Sequence, residues 1–261
     1  MIKKIALPSG REVPALGLGT WNIGDSSRRR SQEIAALQRG IELGMTLIDT
    51  AEMYGEGASE QLIGDAIRGQ RDKVFLVSKV YPHNASRRRA VEACERSLRR
   101  LGADCIDLYL LHWRGSIPLQ ETFEAFEGLK RAGKIAAFGV SNFDTSDMEE
   151  AWAVPHGREI AVNQILYNLT RRGVEHDLLP WLRKNHVPVM AYSPVEQGRL
   201  VRHPKLAAIA SKRGATASQM ALAWLLAQPE VIVIPKAGDP KHVEENRRAA
   251  DIDAGGVRGS R

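Results

Sequence analysis

The 261-residue chain contains only two cysteines, Cys94 and Cys105, and their spacing fits no zinc-binding pattern. The first five residues include two lysines, but no apolar stretch of the kind that a signal peptide needs follows them. A chain of this length buries enough surface to fold without a disulfide or a metal. We therefore predict a protein of the reducing cytoplasm that needs neither and has no metal site.

Long hydrophobic runs are also missing, and no apolar stretch approaches the length of a membrane span. Hydrophobic residues make up 43% of the chain and charged residues 26%, which is ordinary for a globular protein. The sequence therefore predicts a globular protein without membrane contact.

Acidic residues are outnumbered, so the formal net charge is +6 and the pI is about 9.4. Nucleic-acid binding is one interpretation, and Arg28–Arg30 and Arg87–Arg89 are its strongest support. No aromatic residues are interleaved with these runs, and each stands where a helix is expected to begin. We favour solvated helix starts, no nucleic-acid partner, and a charge that attracts an anionic cofactor.

Several nucleotide and hydrolase motifs are incomplete. The Gly17-x-Gly19 pair begins a Rossmann fingerprint, but Asn22 replaces the third glycine. No P-loop and no zinc-protease His-Glu-x-x-His motif is present. The segment 139–143 resembles a nucleophile elbow until Phe143 breaks it, which disfavours a serine hydrolase.

Alternating strand and helix patterns follow a short predicted β-hairpin over 3–14. Their period is about 30 residues, the length of one βα unit. The predicted strands end near Thr20, Asp49, Lys79, His112, Val140, Gln164, Tyr192 and Pro235. Eight such units without a linker predict a single (βα)₈ TIM barrel of the α/β class over residues 1–251. The Gly- and Arg-rich tail 252–261 lacks apolar periodicity and is predicted to be disordered.

Polar side chains stand at the ends of three consecutive predicted strands. Asp49, Lys79 and His112 occupy these ends, and Tyr54 follows Asp49 by five residues. Active sites of such barrels lie at the strand carboxyl ends. A lysine ammonium lowers the pKa of a nearby tyrosine, and an aspartate is its counter-ion. His112 could orient a carbonyl oxygen, so the set favours carbonyl reduction with Tyr54 as general acid.

Each residue also has a structural explanation: a barrel ion pair for Asp49 and Lys79, a hydrogen-bonded core histidine, and a packed loop tyrosine. The combination at period-related positions favours function. None of the four residues carries a hydride, so a cofactor must supply it.

Seven motifs in order resemble the aldo-keto reductase family, over a match that runs from the hairpin to about Asp251. They are Asp49-Thr50-Ala51-Glu52-Met53-Tyr54-Gly55, Lys79, Leu110-Leu111-His112-Trp113, Gly139-Val140-Ser141-Asn142-Phe143, Asn163-Gln164, Ala191-Tyr192-Ser193-Pro194 and Ile234-Pro235-Lys236. The resemblance implies nicotinamide-dependent reduction of aldehydes and reactive ketones without a Rossmann domain.

The resemblance also implies a role for individual residues. Four match the catalytic residues: Asp49, Tyr54, Lys79 and His112. Ten match cofactor contacts: Ser141, Asn142 and Gln164 at the carboxamide, Tyr192 on the nicotinamide ring, Ser193 and Leu200 at the pyrophosphate, Lys236 and His242 at the 2′-phosphate, and Glu245 and Asn246 at the adenine. Trp21 and Trp113 resemble substrate-pocket aromatics, although packing explains Trp113 equally well.

Two departures from the family pattern concern the cofactor. Ala237 stands where many members have Ser or Thr, and His242 stands at the usual arginine position. Histidine is only partly charged near pH 7 and makes no bidentate clamp. We expect NADPH to be preferred through Lys236, with NADH possible.

Family members usually continue with a helix and a loop over the substrate mouth, and the tail 252–261 departs from this pattern. We therefore expect an open pocket that accepts small carbonyl compounds. We expect a monomer. The alternative is a slow, cofactor-binding regulatory subunit.

Overall fold

The computed structural model describes residues 1–253 and begins with an antiparallel hairpin. Strand β1 (Lys4–Ala6) pairs with β2 (Glu12–Pro14), and Ile5 faces Val13. Gly10 takes a φ of 82° in the turn, a conformation that glycine adopts without steric cost. The predicted hairpin is confirmed.

Eight parallel strands follow, and each pairs with its neighbours in chain order. They are β3 (Leu18–Gly19), β4 (Leu47–Asp49), β5 (Phe75–Val80), β6 (Ile106–Leu111), β7 (Ile135–Ser141), β8 (Asn163–Leu166), β9 (Val189–Tyr192) and β10 (Val231–Val233). Parallel bridges from Leu16 to Val233 and from Gly19 to Lys236 join the last strand to the first. The sheet therefore closes on itself, and the predicted TIM barrel is confirmed.

Helices follow the strands around the outside of the barrel. They are α1 (Arg30–Glu42), α2 (Ala58–Ala66), α3 (Arg87–Leu101), α4 (Leu119–Arg131), α5 (Thr145–Ala153), α6 (Leu178–Lys184), α7 (Pro204–Ser211), α8 (Ala217–Leu226) and α9 (Pro240–Arg248). The two arginine runs lie at the starts of α1 and α3, as expected. The longest interval between strands, from β9 to β10, is long because it contains both α7 and α8.

The buried residues form separate layers inside and outside the sheet. The inner layer joins the hairpin residues Ile5, Leu7 and Val13 to Phe75 at the start of β5. Arg11 stacks on the Phe75 ring at 4.6 Å. The hairpin therefore covers the amino-terminal end of the barrel, which leaves the carboxyl end of the strands open for a site.

No helix within residues 1–253 is long and apolar enough to cross a bilayer. The predicted disorder of the tail falls mostly on residues 254–261, which lie outside the described part of the chain. Ile252 is described, and its side chain packs against the cluster formed by α7 and α8.

Candidate active site

Lys79 lies inside the barrel with none of its surface exposed. Its ammonium is 2.8 Å from a carboxylate oxygen of Asp49, the last residue of β4. It also donates to the Thr50 carbonyl at 2.8 Å and to the Tyr54 hydroxyl at 3.2 Å. All three ammonium protons therefore have an acceptor, which compensates for the burial of the charge.

A tight turn brings Tyr54 back towards the barrel axis. The 3₁₀ turn Tyr54–Gly57 contains three successive positive φ angles, 56° at Gly55, 51° at Glu56 and 96° at Gly57. Glu56 is not glycine, so the turn carries backbone strain of the kind found near functional sites. The strained turn places the tyrosine hydroxyl beside Lys79.

Burial raises the pKa of the Tyr54 hydroxyl, and the Lys79 ammonium opposes this shift only in part. The predicted lowering of the tyrosine pKa is therefore wrong, because desolvation outweighs the attraction of the ammonium. Burial would lower the pKa of Lys79, but Asp49 and Tyr54 raise it above its usual value. Near neutral pH the site holds a charged lysine and a protonated tyrosine.

His112 follows the last residue of β6, and its backbone N–H donates to the Val80 carbonyl at 3.1 Å. Its ring meets the Tyr54 ring edge to face at 5.9 Å between centroids. Burial, helped by the Lys79 charge, lowers the pKa of His112 to about 3. Its buried Nδ1 has no hydrogen-bond partner among the described residues. The ring is therefore neutral, with one N–H donor available.

The predicted carboxamide-binding residues adjoin these four. Gln164 donates to the Asp49 carboxylate at 2.7 Å, and Asn142 donates to the His112 carbonyl at 3.0 Å. The Tyr192 hydroxyl donates to Asn142 at 2.7 Å, which fixes the edge of the tyrosine ring. Asn142 also donates to the Ser141 hydroxyl at 3.1 Å. The structure therefore places these residues in one continuous surface with the lysine and tyrosine.

The remaining predicted cofactor contacts lie beyond the carboxyl ends of β9 and β10. Ser193 has a φ of 48°, and its carbonyl accepts a hydrogen bond from Asn168 at 3.0 Å. The Leu200 side chain is buried with α7 and α8, so only its backbone could contact a ligand. Lys236 is exposed, and its ammonium pairs with no described residue.

Helix α9 carries the last three of these residues. His242 is exposed, whereas Asn246 is buried. Glu245 accepts a hydrogen bond from the Thr216 hydroxyl at 2.7 Å. One carboxylate oxygen of Glu245 is therefore already engaged by the protein.

Aromatic side chains lie next to His112 at the carboxyl ends of the strands. Trp113 is 38% exposed and Trp21 is 46% exposed, which makes them two of the largest exposed apolar residues. The Trp113 ring lies 4.9 Å from the His112 ring and 6.0 Å from the Tyr81 ring. Tyr81 was missed from the sequence, although its position just after β5 was a usable signal.

A buried carboxylate was also missed. Glu196 accepts hydrogen bonds from Asn168 at 2.6 Å and from Arg171 at 2.9 Å, and it pairs with Arg199. The Arg171 guanidinium in particular lowers the pKa of Glu196 to about 2. This cage holds the loop after β9, where Glu196 and Gln197 both take positive φ. No periodic pattern in the sequence points to it.

Comparison with known proteins decides the family. Residues 15–254 match the sequence profile of the Aldo/keto reductase family. The chain belongs to this family. The NAD(P)H-dependent carbonyl reduction that the sequence predicted is thereby confirmed.

Similar proteins cover almost the whole chain. A methylglyoxal reductase of Escherichia coli K12 is 48% identical over 96% of this chain and 90% of its own. A glyoxal reductase of Bacillus subtilis is 31% identical over 95% of this chain and 87% of its own. A crystal structure of a Klebsiella pneumoniae aldo-keto reductase with NADPH superposes with a TM-score of 0.95 at 50% identity, covering 98% and 92%.

Proposed function

We propose that this aldo-keto reductase reduces small aldehydes and dicarbonyl compounds with NADPH, and that Tyr54 donates the proton. The observation that carries the proposal is the contact of the Lys79 ammonium with both the Asp49 carboxylate and the Tyr54 hydroxyl. Relatives named for methylglyoxal and glyoxal reduction support the substrate class.

The residues present fit a nicotinamide dinucleotide. At one end, the half-buried Tyr192 ring offers a face for a planar heterocycle, and Gln164 keeps its amide oxygen free of described donors. At the other end, Lys236 is an exposed cation without a described partner, suited to a 2′-phosphate. The bound cofactor would supply the hydride.

The protein's own groups would handle the proton and the negative charge. Tyr54 is protonated, and its hydroxyl would donate to the carbonyl oxygen as negative charge develops there. An alkoxide is far more basic than a tyrosinate, so a raised tyrosine pKa does not prevent the transfer. The tyrosinate that remains would be stabilised by Lys79, which is 3.2 Å away.

His112 would act as a neutral donor. Because its pKa is lowered to about 3, the ring stays uncharged at neutral pH. A neutral ring orients the carbonyl oxygen without adding a second positive charge beside Lys79. The aromatic rim of Trp21, Tyr81 and Trp113 would exclude water and hold small, flat carbonyl compounds.

The preference for NADPH rests on Lys236 and on the NADPH complex of the similar Klebsiella protein. We also propose that the protein works as a monomer in the cytoplasm, with Cys94 and Cys105 as free thiols and without nucleic-acid partners. Sedimentation of the protein alone tests the monomer, and sedimentation with mixed DNA and RNA tests the lack of nucleic-acid partners.

The deciding experiment is oxidation of NADPH with methylglyoxal and with an aromatic aldehyde, for wild type and Tyr54→Phe. A general acid contributes about 10²–10⁴-fold, so the variant should lose at least about a hundredfold in kcat. NADPH binding should stay within a few fold. A variant that turns over like wild type excludes Tyr54 as the donor. Two proteins that both bind NADPH without turnover would favour a regulatory, cofactor-binding role.

A further inference from the structure

A cavity of about 610 Å³ lies on the outside of the barrel, behind the turn that carries Tyr54. It is a shallow depression open to solvent, so a ligand there would be held by charge and hydrogen bonds rather than by burial. The lining residues come from α1, α2, α3 and that turn: Arg30, Glu56, Gln61, Asp65, Arg96, Arg99 and Arg100. The predicted active-site residues are not among them, so the cavity is distinct from the carbonyl site.

Three of its arginines share one face of α3. Arg96, Arg99 and Arg100 are spaced i, i+3 and i+4, which brings side chains together on a helix surface. The lining contains four guanidinium groups against two carboxylates. One of those carboxylates, Asp65, already pairs with Arg30 and with Arg68. Glu52 and Glu60 also pair with Arg96 and Arg100 from behind the lining. Four carboxylates therefore face the four guanidinium groups, and the capacity to bind an anion rests on the arginines whose side chains are least engaged.

The guanidinium donors on α3 are only partly used. The Arg99 guanidinium makes no side-chain hydrogen bond or ion pair within residues 1–253, although its charge helps to lower the pKa of Glu95. Arg96 reaches Glu52 only at 3.6 Å. Arg100 is different, because its Nε donates to the buried Glu60 at 2.6 Å. That pair fixes the cavity wall, whereas the other two guanidinium groups have donors free for a ligand.

Gly57 shows that Arg100 is packed tightly against the Tyr54 turn. A Cβ at Gly57 would clash with the Arg100 side chain, and the φ of 96° at this position already disfavours other residues. Arg100 is therefore held as a rigid part of the cavity rather than as a mobile surface side chain.

We propose that this cavity is a binding site for a phosphate group, either free or carried by a small metabolite. Planar guanidinium groups bind phosphate oxygens through paired, charge-assisted hydrogen bonds. Arg96 and Arg99 would supply the binding donors, while Arg100 would form the fixed wall. The proposal is independent of the carbonyl chemistry.

Isothermal titration calorimetry with inorganic phosphate tests the site, against sodium chloride at matched ionic strength. Saturating NADP⁺ would occupy the cofactor's own phosphate contacts, including Ser193, Lys236 and His242, and saturable phosphate binding should persist in its presence. Arg99→Gln removes no side-chain hydrogen bond or ion pair, so the variant should fold normally, and it should bind phosphate at least about tenfold more weakly than wild type. Arg96→Gln should weaken binding similarly.

Arg89→Gln is the matched control, because Arg89 is an exposed arginine of the same helix outside the cavity. It should bind phosphate like wild type. A titration with glycerol phosphate separates the two sources: tighter binding than inorganic phosphate identifies a phosphorylated metabolite, and weaker binding identifies the free ion. Absence of saturable binding, or wild-type affinity in Arg99→Gln, overturns the proposal.

Discussion

Acid should destabilise this protein through His112 well before most of its carboxylates titrate. In the unfolded chain the ring binds a proton below about pH 6.5, whereas in the folded chain burial and Lys79 lower its pKa to about 3. Between these values the unfolded state binds more protons, so the free energy of unfolding falls as the pH falls. The loss begins near pH 6.5 and levels off near pH 3.

The magnitude follows from the two pKa values. Each unit of difference corresponds to about 1.4 kcal/mol, so the full effect is about 5 kcal/mol. Two units below the unfolded pKa, at pH 4.5, about 3 kcal/mol should already be lost. This is a large share of the 5–15 kcal/mol typical of a folded domain.

Urea unfolding at pH 7 and pH 4.5 measures this loss for wild type and for His112→Gln. The variant lacks the imidazole, so its free energy of unfolding should fall by about 3 kcal/mol less than that of wild type between the two pH values. The exposed His176 provides a matched control, and His176→Gln should behave like wild type. Equal losses in wild type and His112→Gln would show that the pKa of His112 is not lowered in the folded protein, and would refute this reasoning.

Two further predictions concern the buried ion pair and the cofactor. Asp49→Asn and Lys79→Met should each cost about 3–5 kcal/mol in urea unfolding, because each leaves a buried charge without its partner. The double variant should cost clearly less than the sum, and additive losses would show that the pair is not coupled. His242→Arg should raise the ratio of NADPH to NADH affinity in fluorescence titrations, whereas Lys236→Met should lower it. An unchanged ratio in both variants would place the 2′-phosphate elsewhere.

The sequence predicted the barrel because its signals are local and repeated. Each strand is a short apolar run, and the period between strand ends is nearly constant until β9. Helix α7 was not predicted, because the βα period leads us to expect one helix between consecutive strands, whereas two lie between β9 and β10. The structure places it at Pro204–Ser211, with the proline at its first position, and it packs on α8.

The sequence also indicated which four residues would meet, but not the direction in which the tyrosine would titrate. The proximity of Lys79 to Asp49 follows from strand order, because β4 and β5 are neighbours. Desolvation depends on how completely the surrounding chain covers the hydroxyl, which no local pattern records. The cage around Glu196 was missed for a similar reason, since Asn168 and Glu196 lie in loops after different strands.

Burial alone does not separate a functional carboxylate from a structural one in this barrel. Asp107 is 7% exposed and Asp49 is 2% exposed, and both lie in strands. Asp107 stands near the start of β6 and accepts from Arg11, Arg71 and the Leu76 N–H, which tie the hairpin to the closed end of the barrel.

Asp49 stands at the other end of its strand, where the barrel is open. Its partners are Lys79 and Gln164, and the lysine in turn contacts Tyr54. Both carboxylates accept hydrogen bonds from several donors, so the number of hydrogen-bond partners does not distinguish them either. Position along the strand does, because only the carboxyl end adjoins loops that can bring a tyrosine, a histidine and a bound substrate to the same point.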